Sequence, residues 1–167
     1  QRRVAKAINF GILYGMGATA LAAAAAVSRE EADAYIQRYF AAYPELSAWI
    51  ETTKALARKR GYVETLFGRK RFLPEITSGV PQVRAAAERM AVNMPLQGTQ
   101  ADLLKRAMIR ADAWIRESQK SEVRSQKSGE RVRMVLTVHD ELVFEVREDF
   151  LAEATTALRD ILEGVEH

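Results

Sequence analysis

Four side chains near the start of the sequence, Arg2, Lys6, Phe10 and Tyr14, stand four residues apart. On an α-helix each step of four turns by about 40°, so the four form one slowly turning stripe along about 18 Å of axis. Two cations followed by two aromatic rings suit a nucleotide whose phosphates meet the first half and whose base meets the second. Arg2 can clasp phosphate oxygens bidentately, and Lys6 can act as a point charge. A solvated amphipathic helix with its aromatics against a neighbour has the same spacing, so the stripe alone leaves both readings open.

A second constellation, His139, Asp140 and Glu141, lies between two alternating apolar runs. Adjacent carboxylates on a strand turn can be held on rigid backbone while staying open to a metal-bound phosphate, which suits magnesium. Nucleotidyl transfer with two ions activates a primer 3′ hydroxyl and stabilises the leaving pyrophosphate, and it needs at least two placed carboxylates. A turn with exposed charges reads equally well from the triplet. A metal-ligating His or a hydrolytic dyad also stays open, although the only other His is the terminal His167. Arg89, Asn93 and Gln97 form a third set, again four apart. If helical, they share a face and could donate to minor-groove acceptors, a degenerate pattern that allows base-pair shape to be checked without reading sequence. Pro95 leaves the alternative of capping or core-edge polar residues.

These side chains need elements to hold them. Val4, Ala7, Ile8, Gly11 and Ile12 predict a helix over 2–16, with a loop at Gly15 and Gly17. Ser28 with Glu31 three residues on reads as a capping box ahead of Ala32, Tyr35, Ile36, Tyr39 and Phe40. Pro44 starts the next helix, which runs to an αL terminator at Gly61 after the basic turn Arg58, Lys59, Arg60. Tyr62 to Leu73 reads as a short β-hairpin around Gly68. Two further helices are predicted, one around Val83 to Met94 and one around Leu104 to Ile115, separated by Pro95 and Gly98. The polar stretch 118–131 has no core pattern and reads as a surface loop. Val132, Met134, Leu136 and Val138 then alternate with polar residues, as do Leu142, Phe144 and Val146, predicting two strands around His139 and Asp140. That turn pair is not one that easily adopts hairpin turns, so local folding chemistry does not explain its identity. A last helix covers about Phe150 to Glu163.

The 167 residues are 48% hydrophobic and 28% charged, an ordinary globular composition that excludes disorder over the whole length. The net charge of +3 is small, so any polyanion site must come from local clustering of Lys and Arg. Absence of Cys excludes a disulfide framework or thiolate zinc site and fits a cytoplasmic setting. No apolar run approaches the ~20 residues needed to span a bilayer, the Ala-rich stretch Ala20 to Ala26 included, so no membrane partner is expected.

The string RRVAKAINFGILYG from Arg2 closely resembles the fingers motif of family A DNA polymerases: Arg, three residues, Lys, three residues, Phe-Gly, two residues, Tyr-Gly. VHDELVFE from Val138 resembles the palm motif of the same family, in the expected order, and RMAVNMPLQGTQADLLK from Arg89 is similar to its intervening palm segment. GYVETLFGRKRFLP also resembles a family segment. The resemblance implies that Arg2 and Lys6 bind the incoming triphosphate. Phe10 would face its sugar and base, and Tyr14 would lie at the template and nascent-pair end. Asp140 would be a catalytic metal ligand, Glu141 an accessory carboxylate, His139 a contact to the primer terminus, and Arg89, Asn93 and Gln97 duplex contacts. Related single-subunit RNA polymerases usually lack Phe-Gly and continue His-Asp with Ser, so Phe10 and Glu141 favour the DNA enzyme. Phe at position 10 further implies discrimination against nucleotides lacking a 3′ hydroxyl.

The expected fold is α+β: a helical fingers segment over 1–61, and over 62–167 a palm with antiparallel hairpins and packed helices, an incomplete polymerase domain truncated at both ends. The family's other principal aspartate, in an upstream Asp-Tyr-Ser strand motif, is not in this sequence, so the chain alone is expected to be inactive. The resemblance implies two Mg2+ ions, deoxynucleoside triphosphates and primer-template DNA as cofactors and partners, with a monomeric, cytoplasmic, nucleoid-associated parent of the bacterial DNA polymerase I type. A phage or organellar replicase of the same family and a noncatalytic DNA-binding scaffold are the alternatives. An ammonium about 4 Å from a phosphate charge gains roughly 4 kcal/mol at an effective dielectric of 20. Lys6→Ala in an intact polymerase is therefore expected to slow nucleotide incorporation by about 100-fold or more, measured with saturating DNA and subsaturating nucleotide.

Overall fold

The computed structural model describes residues 9–119 and 130–165, together with the backbone of 120–123. The first candidate cations, Arg2 and Lys6, lie outside the described residues. The chain forms two compact units, Gln1–Thr99 and Gln100–His167.

In the first unit a helical turn, α1 (residues 9–13), is the described part of the helix expected over 2–16. It ends earlier than periodicity suggested, because Gly15 adopts φ +82° and its N–H turns back to Ile12 O. Helix α2 (Ala18–Ala25) follows, where only a loop was expected. Its signal is propensity rather than periodicity: it is nearly all Ala, the best helix former, and buries only Leu21. Helix α3 (Arg29–Ala42) opens on the capping box read from the sequence, with Glu31 N–H donating to Ser28 Oγ and Ser28 N–H donating to Glu31 Oε2. Helix α4 (Pro44–Arg60) starts on its proline and stops at Gly61, φ +75°. Ile12, Leu21 and Ala32 form one small core under Met16, Ile36, Tyr39 and Phe40.

Strands β1 (Tyr62–Glu64) and β2 (Lys70–Phe72) pair antiparallel as expected. With the 3-10 turn Pro74–Thr77 they build a second core, in which Val63, Leu73 and Ile76 meet Ala57 of α4 and Ala87 and Ala91 of the next helix. That helix corrects the sequence reading. A single α5 (Pro81–Val123) replaces the two helices predicted on either side of Pro95 and Gly98, and it also takes up 118–123 of the predicted surface loop. Residues 124–129 of that loop lie outside the described residues. A proline costs roughly 3 kcal/mol inside a helix. Here buried Ala87, Ala91 and Val92 anchor the preceding turns, and the β1–β2 turn binds the following ones. Beyond Ile115, Glu, Gln and Lys have no apolar pattern, yet they extend an existing helix cheaply because propagation, unlike nucleation, is favourable.

In the second unit β3 (Val132–Val138) and β4 (Glu141–Val146) form an antiparallel hairpin, followed by α6 (Leu151–Glu163). The expected alternation breaks between Met134 and Leu136, where the register shifts. Val132 and Met134 pair with Val146 and Phe144 over the core, but the extra residue puts Leu136 opposite Val143 on the other face. Leu136 and Val138 are accordingly 47% and 44% exposed. The core joins Ile115, Val132, Phe150 and Ala154, with Trp114 stacked on Phe150 at 6.0 Å between centroids. Arg110 of α5 donates to Gly164 O, fastening the end of α6. Phe150→Ala removes the ring on which this core closes, and it should cost about 3–5 kcal/mol in urea denaturation of the second unit's transition.

Candidate functional site

The candidate residues fall in both units. In the first, Phe10 and Tyr14 stack one helical turn apart, with ring centroids 6.1 Å apart and planes 17° apart. Phe10 is substantially exposed, as a face for a ligand requires. Gly15 gives this end of α1 its neighbour: at φ +82° a side chain would be strained, and a Cβ added there would stand 3.1 Å from Cγ of Arg89, so glycine lets the Arg89 stem lie close against the turn. Tyr14 and Arg89, 75 positions apart in sequence, thus line one cleft of about 290 Å³ with Phe40, Ile50, Glu51 and Lys54. Lys54 donates to Glu51 at 2.8 Å within that wall, and Arg58 donates to Glu88 at 2.6 Å. Sequence reasoning did not single out Glu51, Lys54 or Glu88, because nothing in their local spacing ties them to Tyr14.

Arg89, Asn93 and Gln97 lie on α5, and its continuity through Pro95 answers the objection that the proline would separate them. Successive steps of four keep them on one side of the helix. Asn93 Oδ1 is buried without a hydrogen-bond partner, an arrangement costing about 1–3 kcal/mol unless a donor reaches it.

In the second unit the β3–β4 turn presents His139, Asp140 and Glu141 to solvent. His139 adopts φ +56°, a left-handed conformation unusual for a residue with a side chain, although His tolerates it better than most. Asp140 also borders a cleft of about 290 Å³ lined by Leu103, Leu104, Ala107, Leu162 and Val165. Farther along the hairpin, Arg133 bonds Glu145 across the strands, and Arg147 bonds Asp149 at 2.6 Å. The Arg147 hydrogen bond holds the Asp149 carboxyl below its usual range. Two adjacent carboxylates are hard oxygen donors of the kind magnesium accepts, usually one or two beside phosphates and water. Among the described residues no group of three or more His, Asp or Glu side chains could hold a metal, so a two-ion centre would draw further ligands from elsewhere. No helix among the described residues is long and apolar enough to cross a membrane.

The profile of DNA polymerase family A matches residues 1–167, and the chain belongs to that family. It is 51% identical over 164 residues to DNA polymerase I of Pseudomonas aeruginosa, covering 98% of this chain and 17% of that protein. It is 48% identical to the thermostable DNA polymerase I of Thermus aquaticus, covering 98% of this chain and 18% of the relative. Among solved structures it is similar to the POL domain of Pol1 from M. smegmatis in complex with DNA primer-template and dNTP. That likeness has a TM-score of 0.87 at 39% identity and covers 98% of this chain and 27% of that one. The chain thus spans under a fifth of the length of the curated relatives it matches.

The left-handed turn yields a stability test independent of activity. His139→Gly should leave the urea midpoint of the second unit nearly unchanged, whereas the β-branched His139→Val should cost about 1–2 kcal/mol.

Proposed function

We propose that this segment supplies the nucleotide-binding helix and one metal-binding turn of a template-directed DNA polymerase of the bacterial DNA polymerase I type. The observation that carries the reading is the match of family and fold over nearly the whole chain to a polymerase whose structure holds DNA primer-template and dNTP. Under this reading residues 1–61 serve as fingers and 62–167 as palm. Arg2 and Lys6 bind the triphosphate, Phe10 meets the sugar and base, and Tyr14 stands at the template end beside Arg89.

The stacked Phe10 and Tyr14 rings offer flat apolar surface to a base, a contact worth about 1–3 kcal/mol that tolerates any sequence. Asn93 and Gln97 touch the minor groove of the primer-template. A magnesium ion at Asp140, with Glu141 beside it, would supply Lewis-acid stabilisation of phosphate charge. His139, in the turn of the β3–β4 hairpin, contacts the primer terminus. The cytoplasm and nucleoid of a bacterium are the proposed setting, with a monomeric parent enzyme. Bacterial relatives at 51% and 48% identity favour this over a phage or organellar replicase.

The test is magnesium-dependent primer extension by a full-length polymerase carrying this segment, with Asp140→Ala and the 167-residue chain as companions. Extension should fall by at least about 1,000-fold in Asp140→Ala and be absent from the chain alone. Undiminished extension by Asp140→Ala would remove the metal-ligand role.

A further inference from the structure

Thr65 and Thr99 are the buried polar residues among the described ones, 4% and 8% exposed. The Thr65 hydroxyl orders the β1–β2 turn, and the Thr99 hydroxyl ties that turn to α5. Leu66 N–H donates to Thr99 Oγ1 at 3.0 Å, and the Thr99 hydroxyl donates in turn to Pro95 O at 2.5 Å. Thr65 Oγ1 accepts from Arg69 N–H at 3.1 Å and Phe67 N–H at 3.3 Å, which closes the turn on itself. The Arg69 guanidinium donates to Gly98 O at 2.8 Å. Gly98 has no Cβ to block this approach; one placed there would stand 2.7 Å from Thr65 Cγ2.

Both anchored carbonyls belong to the weakest stretch of α5. Pro95 withholds an N–H from the carbonyl four residues back, and Gly98 adds backbone freedom that any other residue would restrict. Gln97 lies between them. Thr99 is two residues from Gln97, about 200° around the axis, so the bond from Leu66 grips the side of the helix away from Gln97. Ala91 and Val92 are buried immediately before the proline, which leaves the Pro95–Thr99 turn dependent on the hairpin for its position.

We propose that the Thr65–Thr99–Arg69 clasp is a positioning device: it splints α5 across Pro95 and Gly98 and so sets where Gln97, relative to Asn93 on the anchored side of the proline, meets the DNA duplex. The inference rests on the reading of those two residues as duplex contacts. None of the three clasp residues needs to touch the reacting atoms. A helix free to shift at Pro95 would blur the geometry with which Gln97 distinguishes a matched from a mismatched terminal pair, while the nucleotide-binding stripe would be untouched.

The experiment uses a full-length polymerase carrying this segment, with Thr99→Val, Thr99→Ser, Gln97→Ala and the Thr99→Val/Gln97→Ala pair. Three quantities are read: primer-template Kd, the ratio of matched to mismatched primer extension, and KM for the incoming nucleotide. Thr99→Val should weaken primer-template binding about 10-fold and lower the matched-to-mismatched ratio by a similar factor, with nucleotide KM unchanged within about twofold. Thr99→Ser should restore both, and the double variant should be no worse than Gln97→Ala alone. If Gln97→Ala impairs DNA binding while Thr99→Val matches wild type, or if the two effects simply multiply, the positioning role is overturned. If Gln97→Ala itself leaves DNA binding unchanged, the duplex-contact reading fails, and the inference fails with it. Should Thr99→Val not fold, Thr65→Val takes its place with the same outcomes.

Discussion

An α-helix that contains a proline and a glycine three residues apart does not hold its course by its own hydrogen bonds. In α5 the Gly98 carbonyl is instead bound from outside by the guanidinium of Arg69, and the Thr99 hydroxyl, which accepts from Leu66 N–H of the β1–β2 turn, donates to the Pro95 carbonyl one turn back. The residues around this stretch depend on that arrangement. Arg89 and Asn93 precede the proline, and Gln97 follows it, so they share a side only because the helix is continuous. The same hairpin brings Val63, Leu73 and Ile76 onto Ala57, Ala87 and Ala91, so the clasp and the apolar core of this part of the unit reinforce each other. Buried hydroxyls that are hydrogen-bonded in this way specify one packing of hairpin on helix, since a shifted arrangement would leave them unsatisfied.

Glycine makes the other close approach in this unit. At Gly15 the positive φ ends α1 just after Tyr14, and the missing Cβ leaves room for the stem of Arg89. A single small residue thereby brings Tyr14, the aromatic end of the proposed nucleotide stripe, beside Arg89, the first of the proposed duplex contacts. In the second unit the comparable device is an extra residue rather than a missing side chain. The register shift after Met134 keeps Val132, Phe144 and Val146 over Trp114 and Phe150 while turning Leu136 and Val138 to the opposite face. The apex then carries His139 and the two carboxylates on a hairpin anchored at its base by the Trp114–Phe150 stack.

Much of this was legible in the sequence because it rests on local chemistry. The Ser28–Glu31 capping box, the helix start at Pro44 and stop at Gly61, the hairpin around Gly68 and the paired strands around His139 each follow from residues a few positions apart. The motif spacing at Phe10, Tyr14 and Val138 to Glu145 carried the family, because side chains that serve one chemistry keep fixed intervals along a helix or strand. Helix α2 escaped because Ala stabilises a helix without marking a face, and periodicity is blind to that.

Tertiary structure decided what depends on distant partners. Pro95 and Gly98 read locally as a break, and only the buried threonines and the alanine-lined core beside them keep α5 whole. The bulge after Met134 is likewise invisible to an alternation that runs smoothly through Leu136 and Val138, since pairing with the opposite strand sets which face each residue takes. The cleft shared by Tyr14, Lys54 and Arg89 exists only once α1, α3, α4 and α5 meet. Local spacing thus determined the family, most of the elements and the candidate chemical groups. Long-range contact determined which of those groups lie together, because hydrogen bonds and close packing between distant segments can outweigh the preferences of any one of them.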